Sequence, residues 1–280
     1  MTLEQVYKFG KDKLKSIYNY DMSNEIVLLM QKCFNITKND IIINHDKTVD
    51  DDKFKEFLSF VNRRLNKEPL QYILGKWSFM GNGILVGPGV FIPRYDTETL
   101  VEETIKLIDD DKNCKIIELC AGSGAISIAL SKIMPALEIS AIEKSTRAFE
   151  YLLSNIKMND CNVKAINADI FDYINEVPDE SIDVLVSNPP YIRTNDIDDL
   201  DDEVKMEPIE ALDGGCDGLT YYREISGEWK KKVKKNGFLI VEIGFDQGND
   251  VKSILELDGF KEISIIKDLS AMDRVVVAKK

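Results

Sequence analysis

The chain changes its pattern of apolar and polar positions twice. Through the first 70 residues apolar side chains recur at helical spacing, with Phe54, Phe57, Leu58, Val61 and Leu65 on one face. The spacing predicts helices over 2–20, 23–35 and 50–66, with Thr2 and Ser23 as N-caps. No strand alternation interrupts them, so this stretch reads as a small helical bundle. In QYILGKWSFMGNGILVGPGVFIP, two apolar runs flank Gly81-Asn82-Gly83, and Pro88-Gly89 adds a second turn. That arrangement predicts a β-hairpin. From Asp96 onward strands alternate with helices. Asp96 or Thr97 caps a helix running to about Ile108. Strand 115–120, helix 124–134, strand 138–142, helix 145–158 and strands 163–168 and 182–187 follow. After a long acidic loop come helix 221–234, strand 238–243, helix 247–257 and strands 262–267 and 273–279. Such alternation implies a doubly wound, mostly parallel sheet covered by helices. The expected domains are therefore 1–72, a helical bundle; 73–94, a hairpin linker; and 95–280, an α/β domain.

Composition narrows the class. At 280 residues with 44% hydrophobic content, the chain can bury a core of one or two domains. No run approaches the roughly 18 apolar residues of a membrane span, and the N-terminus lacks a signal-peptide core. Five cysteines (Cys33, Cys114, Cys120, Cys161, Cys216) are scattered and never spaced C-x-x-C. That fits reduced thiols in the cytoplasm rather than a zinc site or a disulfide framework. The lone His45 reads as structural or surface. The formal charge of −13 is uneven: residues 1–74 hold 12 Lys/Arg and 11 Asp/Glu, so nearly all of the negative charge lies beyond them. A nucleic-acid-gripping protein ordinarily carries a basic face, and none is visible here.

Candidate chemistry sits at predicted strand ends. Asn188-Pro189-Pro190-Tyr191 follows the buried run 181–187, where open α/β sheets place their ligands. Chance would produce this tetrapeptide in only ~1 in 1,000 chains of this length at average composition. The two prolines stiffen the backbone and supply no N–H, leaving the Asn188 side-chain oxygen and the Pro189 carbonyl as acceptors. Two acceptors on a rigid frame suit a planar –NH2 group with two donors. The plainer alternative is a proline-rich turn that merely ends a strand.

Earlier in the chain, Glu118-Leu119-Cys120-Ala121-Gly122-Ser123-Gly124 forms a strand-to-helix turn of small residues. Its backbone can approach a ligand closely, and the next helix presents free N–H groups. The turn lacks the third glycine of the dinucleotide fingerprint, because Ser127 stands there, and has no phosphate-loop Lys-Ser/Thr pair. Glu143 ends the second strand and can accept from both ribose hydroxyls. Asp169 and Phe171 end the third; an acid beside an aromatic suits an adenine. Glu143 as a helix N-terminal acid and Phe171 as a core aromatic are the plainer readings. Together the three strand ends describe a nucleoside site without a pyrophosphate clamp, which S-adenosylmethionine fits better than NAD or ATP.

ELCAGSG, the acid in AIEKS, NADIF and SNPPYI resemble the motifs of class I S-adenosylmethionine-dependent methyltransferases that methylate planar amino nitrogens. The chain is most similar to the HemK/PrmC family, the protein-(glutamine-N5) methyltransferases of peptide chain release factors. That similarity extends through EPLQYILG, IPRYDTETLVE, EPIEALDGGCDGLTYYR, VEIGFDQ and DLSAMDR, in order along the chain. The resemblance implies a seven-stranded sheet behind an N-terminal helical domain that helps bind the release factor. The modified residue would be the glutamine of the factor's Gly-Gly-Gln motif. It implies cofactor contacts at Glu118, Cys120, Ala121, Gly122, Ser123, Gly124, Glu143, Asp169, Phe171 and Asn188. Substrate-amide contacts fall on Asn188, Pro189, Pro190 and Tyr191, with Asn188, Pro189 and Tyr191 carrying catalysis. Three features depart from the family pattern. Glu replaces the usual Asp at 118 and 143, Cys120 replaces the first turn glycine, and Tyr95 stands where Pro is common. Cys120 implies a position that does not demand a glycine-only backbone.

The expected mechanism is placement: two acceptors orient the amide lone pair toward an activated methyl, with neither an essential general base nor a metal. Class-1 release factors are the expected partner, with no membrane and no direct nucleic-acid contact, and a monomer is the default expectation. The acidic loop 196–203 reads either as a guide for a basic substrate loop or as a solvated surface. An adenine-N6 nucleic-acid methyltransferase would face the same geometric problem as a glutamine enzyme. A catalytically silent cofactor-binding partner protein is the alternative from another class.

Overall fold

A computed structural model describes residues 1–108 and 114–280. These divide into two compact units, Met1–Lys76 with Asp201–Met206, and Trp77–Leu200 with Glu207–Lys280.

The smaller unit is helical. It contains α1 (Leu3–Lys15), α2 (Ser23–Phe34), α3 (Lys38–Ile43), α4 (Asp51–Leu65) and α5 (Leu70–Leu74). Thr2 caps α1 as expected, in a capping box completed by Gln5. Ser23 is the first residue of α2 rather than its cap. Its backbone N–H and hydroxyl both donate to Asp21, which supplies the acceptor instead. Val6, Leu14, Ile26, Leu29, Met30, Phe57 and Val61 are almost fully buried between the helices. Arg64 is buried among them. Its guanidinium donates to Glu25 (2.8 Å), to Glu203 (3.0 Å) and to the Glu68 carbonyl (2.8 Å), and lies 4.7 Å from the centre of the Tyr18 ring. Segment 201–206 of the acidic loop thus belongs with the helices, through an ion pair that no local pattern reveals.

The larger unit begins at Trp77, within the hairpin of β1 (Lys76–Phe79) and β2 (Asn82–Leu85). Its turn lies at Met80 and Gly81, both at positive φ (47° and 74°), so Asn82 starts the second strand rather than sitting in the turn. There follow α6 (Glu98–Lys106), β3 (Lys115–Leu119), α7 (Ala125–Ile133), β4 (Glu138–Glu143), α8 (Thr146–Met158), β5 (Val163–Asn167) and α9 (Ile170–Tyr173). Then come β6 (Ile182–Ser187), α10 (Thr220–Gly227), β7 (Val233–Glu242), α11 (Gly248–Leu257), β8 (Lys261–Lys267) and β9 (Asp273–Lys279).

The seven-stranded sheet has the order β5-β4-β3-β6-β7-β9-β8; β9 runs antiparallel to both neighbours and all other pairings are parallel. This is the expected doubly wound, mostly parallel sheet of the class I methyltransferase fold. Chain order reverses between β3 and β6, and that switch point puts the ends of both strands at one crevice. Runs such as Ile116–Leu119 and Val184–Val186 are almost wholly buried, as strands covered on both faces require. Fully buried Trp229, Tyr222, Leu239 and Val276 belong to the core on one side.

The helix expected over 221–234 breaks at Gly227. A 3₁₀ turn at Trp229–Lys231 intervenes, and β7 begins at Val233 with a register shift against β6. The helix expected from Asp96 begins instead with a 3₁₀ turn, Tyr95–Thr97, and Thr97 makes no side-chain cap hydrogen bond.

Candidate active site

The first half of the site is the turn after β3. Cys120, Gly122 and Gly124 all have positive φ (57°, 55° and 80°). Cys120 thus occupies a left-handed backbone that favours glycine without demanding it. An L-residue tolerates this left-handed region at a cost of about 1 kcal/mol. Burial also pushes the Cys120 thiol well above its ordinary pKa, so it is an inert neutral group. A Cβ on Gly122 would meet nothing within 4 Å, so the turn opens onto free space there. Ala121 N–H donates to Ile142 O (3.0 Å), Gly124 N–H to Ala121 O (2.8 Å), and Asn155 Nδ2 to the Ser123 carbonyl (3.0 Å). Asn155 is fully buried in α8 and also exchanges two hydrogen bonds with the Leu85 backbone, tying hairpin, turn and helix together.

Two acids flank the turn in different ways. Glu118 points inward, is buried, and accepts from both the N–H and the hydroxyl of Ser127 in the first turn of α7. Burial pushes its carboxyl up to about 8, against the pull of Ser127. Glu143 faces the turn. Its Oε2 accepts from Gly122 N–H and its Oε1 from Ser145 N–H, each at 2.7 Å. An ionised carboxylate has roughly four lone-pair sites, so two such bonds leave acceptor capacity for a diol. Burial raises the Glu143 pKa while these backbone donors oppose it.

Beyond β5, Asp169 accepts from Phe171 N–H (2.9 Å) and pairs with Lys144 (2.8 Å). Its carboxyl lies below the ordinary range, because these contacts outweigh the effect of partial burial. Phe171 is exposed and stacks on Tyr221, with ring centres 5.9 Å apart. Phe171 is thus not a core aromatic, and Tyr221, which sequence reasoning missed, completes an aromatic ledge.

The second half of the site is the segment after β6. Pro189 and Pro190 are buried, while Asn188 and Tyr191 are half-buried. Asn188 Nδ2 donates to Thr97 Oγ1 at 3.4 Å. Its Oδ1 and the Pro189 carbonyl accept no hydrogen bond from the described residues, so both acceptors remain available. Tyr191 is held at both ends. Its hydroxyl donates to Glu242 Oε1 (3.3 Å), and its carbonyl accepts from Gln247 Nε2 (2.9 Å). Gln247 is also buried, donating to Gly218 O and accepting from Gly244 N–H. A Cβ on Gly214 would come within 2.7 Å of Tyr191 Cα and 2.9 Å of Pro190 O, so only glycine permits this approach. The backbone of Ile192 bridges to that of Asp213 alongside.

A third group of residues, unforeseen in the sequence, lies behind this segment. Glu242, at the end of β7, is 1% exposed, and its Oε2 has no hydrogen-bond partner. Burial pushes its carboxyl up to about 7, with Thr97 and Arg274 acting in the opposite direction. Tyr222 donates to its backbone carbonyl (2.9 Å), while Arg274 pairs with Asp268 (3.0 Å) and Asp96 (3.5 Å). Among the described residues no group of three or more His, Cys, Asp or Glu could hold a metal ion.

Free space over Gly122, an acid with spare lone pairs and an aromatic ledge at three successive strand ends fit S-adenosylmethionine, the cofactor of this fold. Comparison with known proteins agrees. The PrmC N-terminal domain family model matches residues 5–75, and the methyltransferase small domain model matches residues 84–209. A release factor glutamine methyltransferase of Thermodesulfovibrio yellowstonii is 40% identical over 226 residues, covering 79% of this chain and 80% of that protein. One from Clostridium acetobutylicum is 40% identical over 243 residues, covering 85% and 84%. In fold, the chain is similar to a methyltransferase from Pyrococcus furiosus, with a TM-score of 0.55 at 17% identity over 82% of this chain and 99% of that one. The chain belongs to the release factor glutamine methyltransferase family.

Proposed function

We propose that this protein transfers a methyl group from S-adenosylmethionine to the side-chain amide nitrogen (N5) of the Gly-Gly-Gln glutamine in class-1 peptide chain release factors. The observation that carries this reading is the rigid Asn188–Tyr191 segment, whose Asn188 Oδ1 and Pro189 carbonyl are both free to accept. Supporting it are the family membership and the free space over Gly122.

An amide nitrogen is a poor nucleophile because its lone pair is delocalised into the carbonyl. Asn188 Oδ1 and Pro189 O accept its two N–H bonds and fix its orientation, and Tyr191 packs beside the amide plane. As positive charge grows on the nitrogen, the same two acceptors would stabilise it; the S–C bond would break as the N–C bond forms, the cofactor would leave as a neutral thioether, and the nitrogen's surplus proton would pass to water. When bound, S-adenosylmethionine supplies an electrophilic sulfonium methyl. Glu143 holds its ribose, the 120–124 turn lies against it, and Phe171 with Asp169 receives its adenine. Placement then supplies most of the acceleration. The near-neutral helical unit, with Arg64 anchoring Glu203, is the proposed docking element for the release factor.

The test is transfer of labelled methyl from S-adenosylmethionine to a class-1 release factor. The same factor with its Gly-Gly-Gln glutamine changed to alanine and duplex DNA are run in parallel. Label on the intact factor alone is the expected result; label on DNA, or equal label on the alanine variant, contradicts it. Asn188→Ala is expected to lower kcat by ~100-fold or more, the scale of losing one preorganised polar contact, with much less change in cofactor Kd.

A further inference from the structure

We infer that Thr97 and Glu242 are positioning residues that set which face of the Asn188 amide meets the substrate. This inference rests on the reading of Asn188 Oδ1 as the acceptor for the glutamine nitrogen.

An asparagine side chain presents an acceptor at one end and a donor at the other, and nothing intrinsic to Asn188 selects between them. If the amide turned over, Nδ2 would face the incoming –NH2 group, donor against donor. The site therefore needs a partner that accepts only from Nδ2. Thr97 Oγ1 takes that bond at 3.4 Å. A threonine hydroxyl can also donate, and a donating Thr97 would favour the turned amide. Its proton must go elsewhere.

Glu242 is the acceptor available. It is buried, it accepts from Tyr191 in the same segment as Asn188, and its Oε2 is the one buried side-chain oxygen among the described residues with no hydrogen-bond partner. An ionised Glu242 has no donor, so it draws the Thr97 proton and leaves Thr97 only as an acceptor toward Asn188. The same carboxylate accepts from the Tyr191 hydroxyl at 3.3 Å, so a single buried acid orders both ends of the substrate-facing segment. Thr97 is also free for this task. It precedes α6 and is 3% exposed, yet its side chain does not cap the helix.

The charge state of Glu242 is the controlling variable. The groups facing it are the Thr97, Tyr191 and Tyr222 side chains, the Arg274 guanidinium that favours the ionised form, and Asp96 that opposes it. Burial outweighs the rest and brings its carboxyl to about 7. Below that pH a protonated Glu242 becomes a donor, the Thr97 proton is released from it, and the Asn188 amide loses its fixed orientation. Turnover is then expected to fall as pH drops through neutrality.

The experiment compares wild type, Thr97→Val, Thr97→Ser and Glu242→Gln in release-factor methylation from pH 5.5 to 9. Cofactor Kd is measured by calorimetry on each, and thermal melts confirm folding. Expected at pH 8 is a ~10- to 100-fold lower kcat for Thr97→Val, the scale of a small misplacement at a reacting centre, with the release-factor KM within ~3-fold of wild type. Thr97→Ser restores kcat to within ~3-fold, because the hydroxyl and not the methyl is required. Glu242→Gln lowers kcat and removes the neutral-pH limb that wild type shows. Folded Thr97→Val with wild-type kcat, Thr97→Ser as impaired as Thr97→Val, or an unchanged pH limb in Glu242→Gln each overturns the inference while leaving the functional reading intact. Wild-type protein that labels no release factor overturns the functional reading, and the inference with it.

Discussion

Asn188 and Glu242 differ in how readily their roles are read from sequence, and the difference is one of distance along the chain. Asn188 stands in a tetrapeptide whose two prolines fix its backbone, so its chemistry is local and legible. Glu242 and Thr97 look ordinary in sequence: one ends an apolar strand, the other sits at a helix start and reads as a cap. Their roles exist only because β6 and β7 pair side by side and α6 brings Thr97 to the same strand ends. Glu118 shows the reverse. It sits in a glycine-rich turn that suggests ligand contact, yet its carboxylate is turned inward and held by Ser127. Its folded pKa of about 8 lies above its ordinary 4.5, so the folded state holds the extra proton between those values. Stability from this group is therefore fully present at low pH and is lost as pH rises through that window. Glu118→Gln carries no such dependence. The melting temperature of wild type relative to Glu118→Gln is expected to decline steadily from pH 5 to pH 8.5, and a constant difference contradicts the assignment.

At the scale of elements, periodicity located every strand of the seven-stranded sheet within a residue or two, except the start of β7. Buried parallel strands are continuous apolar runs bounded by turns, and these are easy to see. The start of β7 was misplaced because Trp229 and Val233 continue the apolar spacing of α10 past the point where its backbone hydrogen bonding ends. Helices α3, α5 and α9 went unseen because four to six residues are too few to establish a period. The segment after β6 depends on its neighbours in a way no periodicity records: Gly214 lies against Pro190 and Tyr191, and Gln247 at the entry to α11 holds the Tyr191 carbonyl. Gly214→Ala would force a methyl onto backbone atoms, which cannot swing aside as a side chain can. A loss of about 1–3 kcal/mol in unfolding free energy, the usual scale of overpacking, is expected, together with reduced kcat. Chemical denaturation and steady-state kinetics check both, and unchanged values contradict the close approach.

At the scale of the whole molecule, the charge division was plain in the sequence: a near-neutral first quarter and an acidic remainder. The membership of 201–206 in the helical unit was not, because it rests on Arg64 and Glu203, 139 residues apart. Arg64 is almost fully buried and satisfies two acids and a carbonyl, so Arg64→Leu is expected to lower stability by about 3 kcal/mol. Glu203 is itself the better-exposed member of the pair, and Arg64 keeps Glu25 and the Glu68 carbonyl, so Glu203→Gln is expected to cost under about 1 kcal/mol. Equal effects from the two, read from denaturant midpoints, contradict the asymmetry. In the proposed reaction a single nitrogen atom receives the methyl group, and mass spectrometry of the product tests this most directly. After reaction with S-adenosylmethionine, a class-1 release factor is digested and its peptides fragmented. A mass increase of one methyl group is expected on the Gly-Gly-Gln glutamine side chain, present with wild type and nearly absent with Asn188→Ala. A methyl group on any other residue, or equal modification by Asn188→Ala, would contradict it.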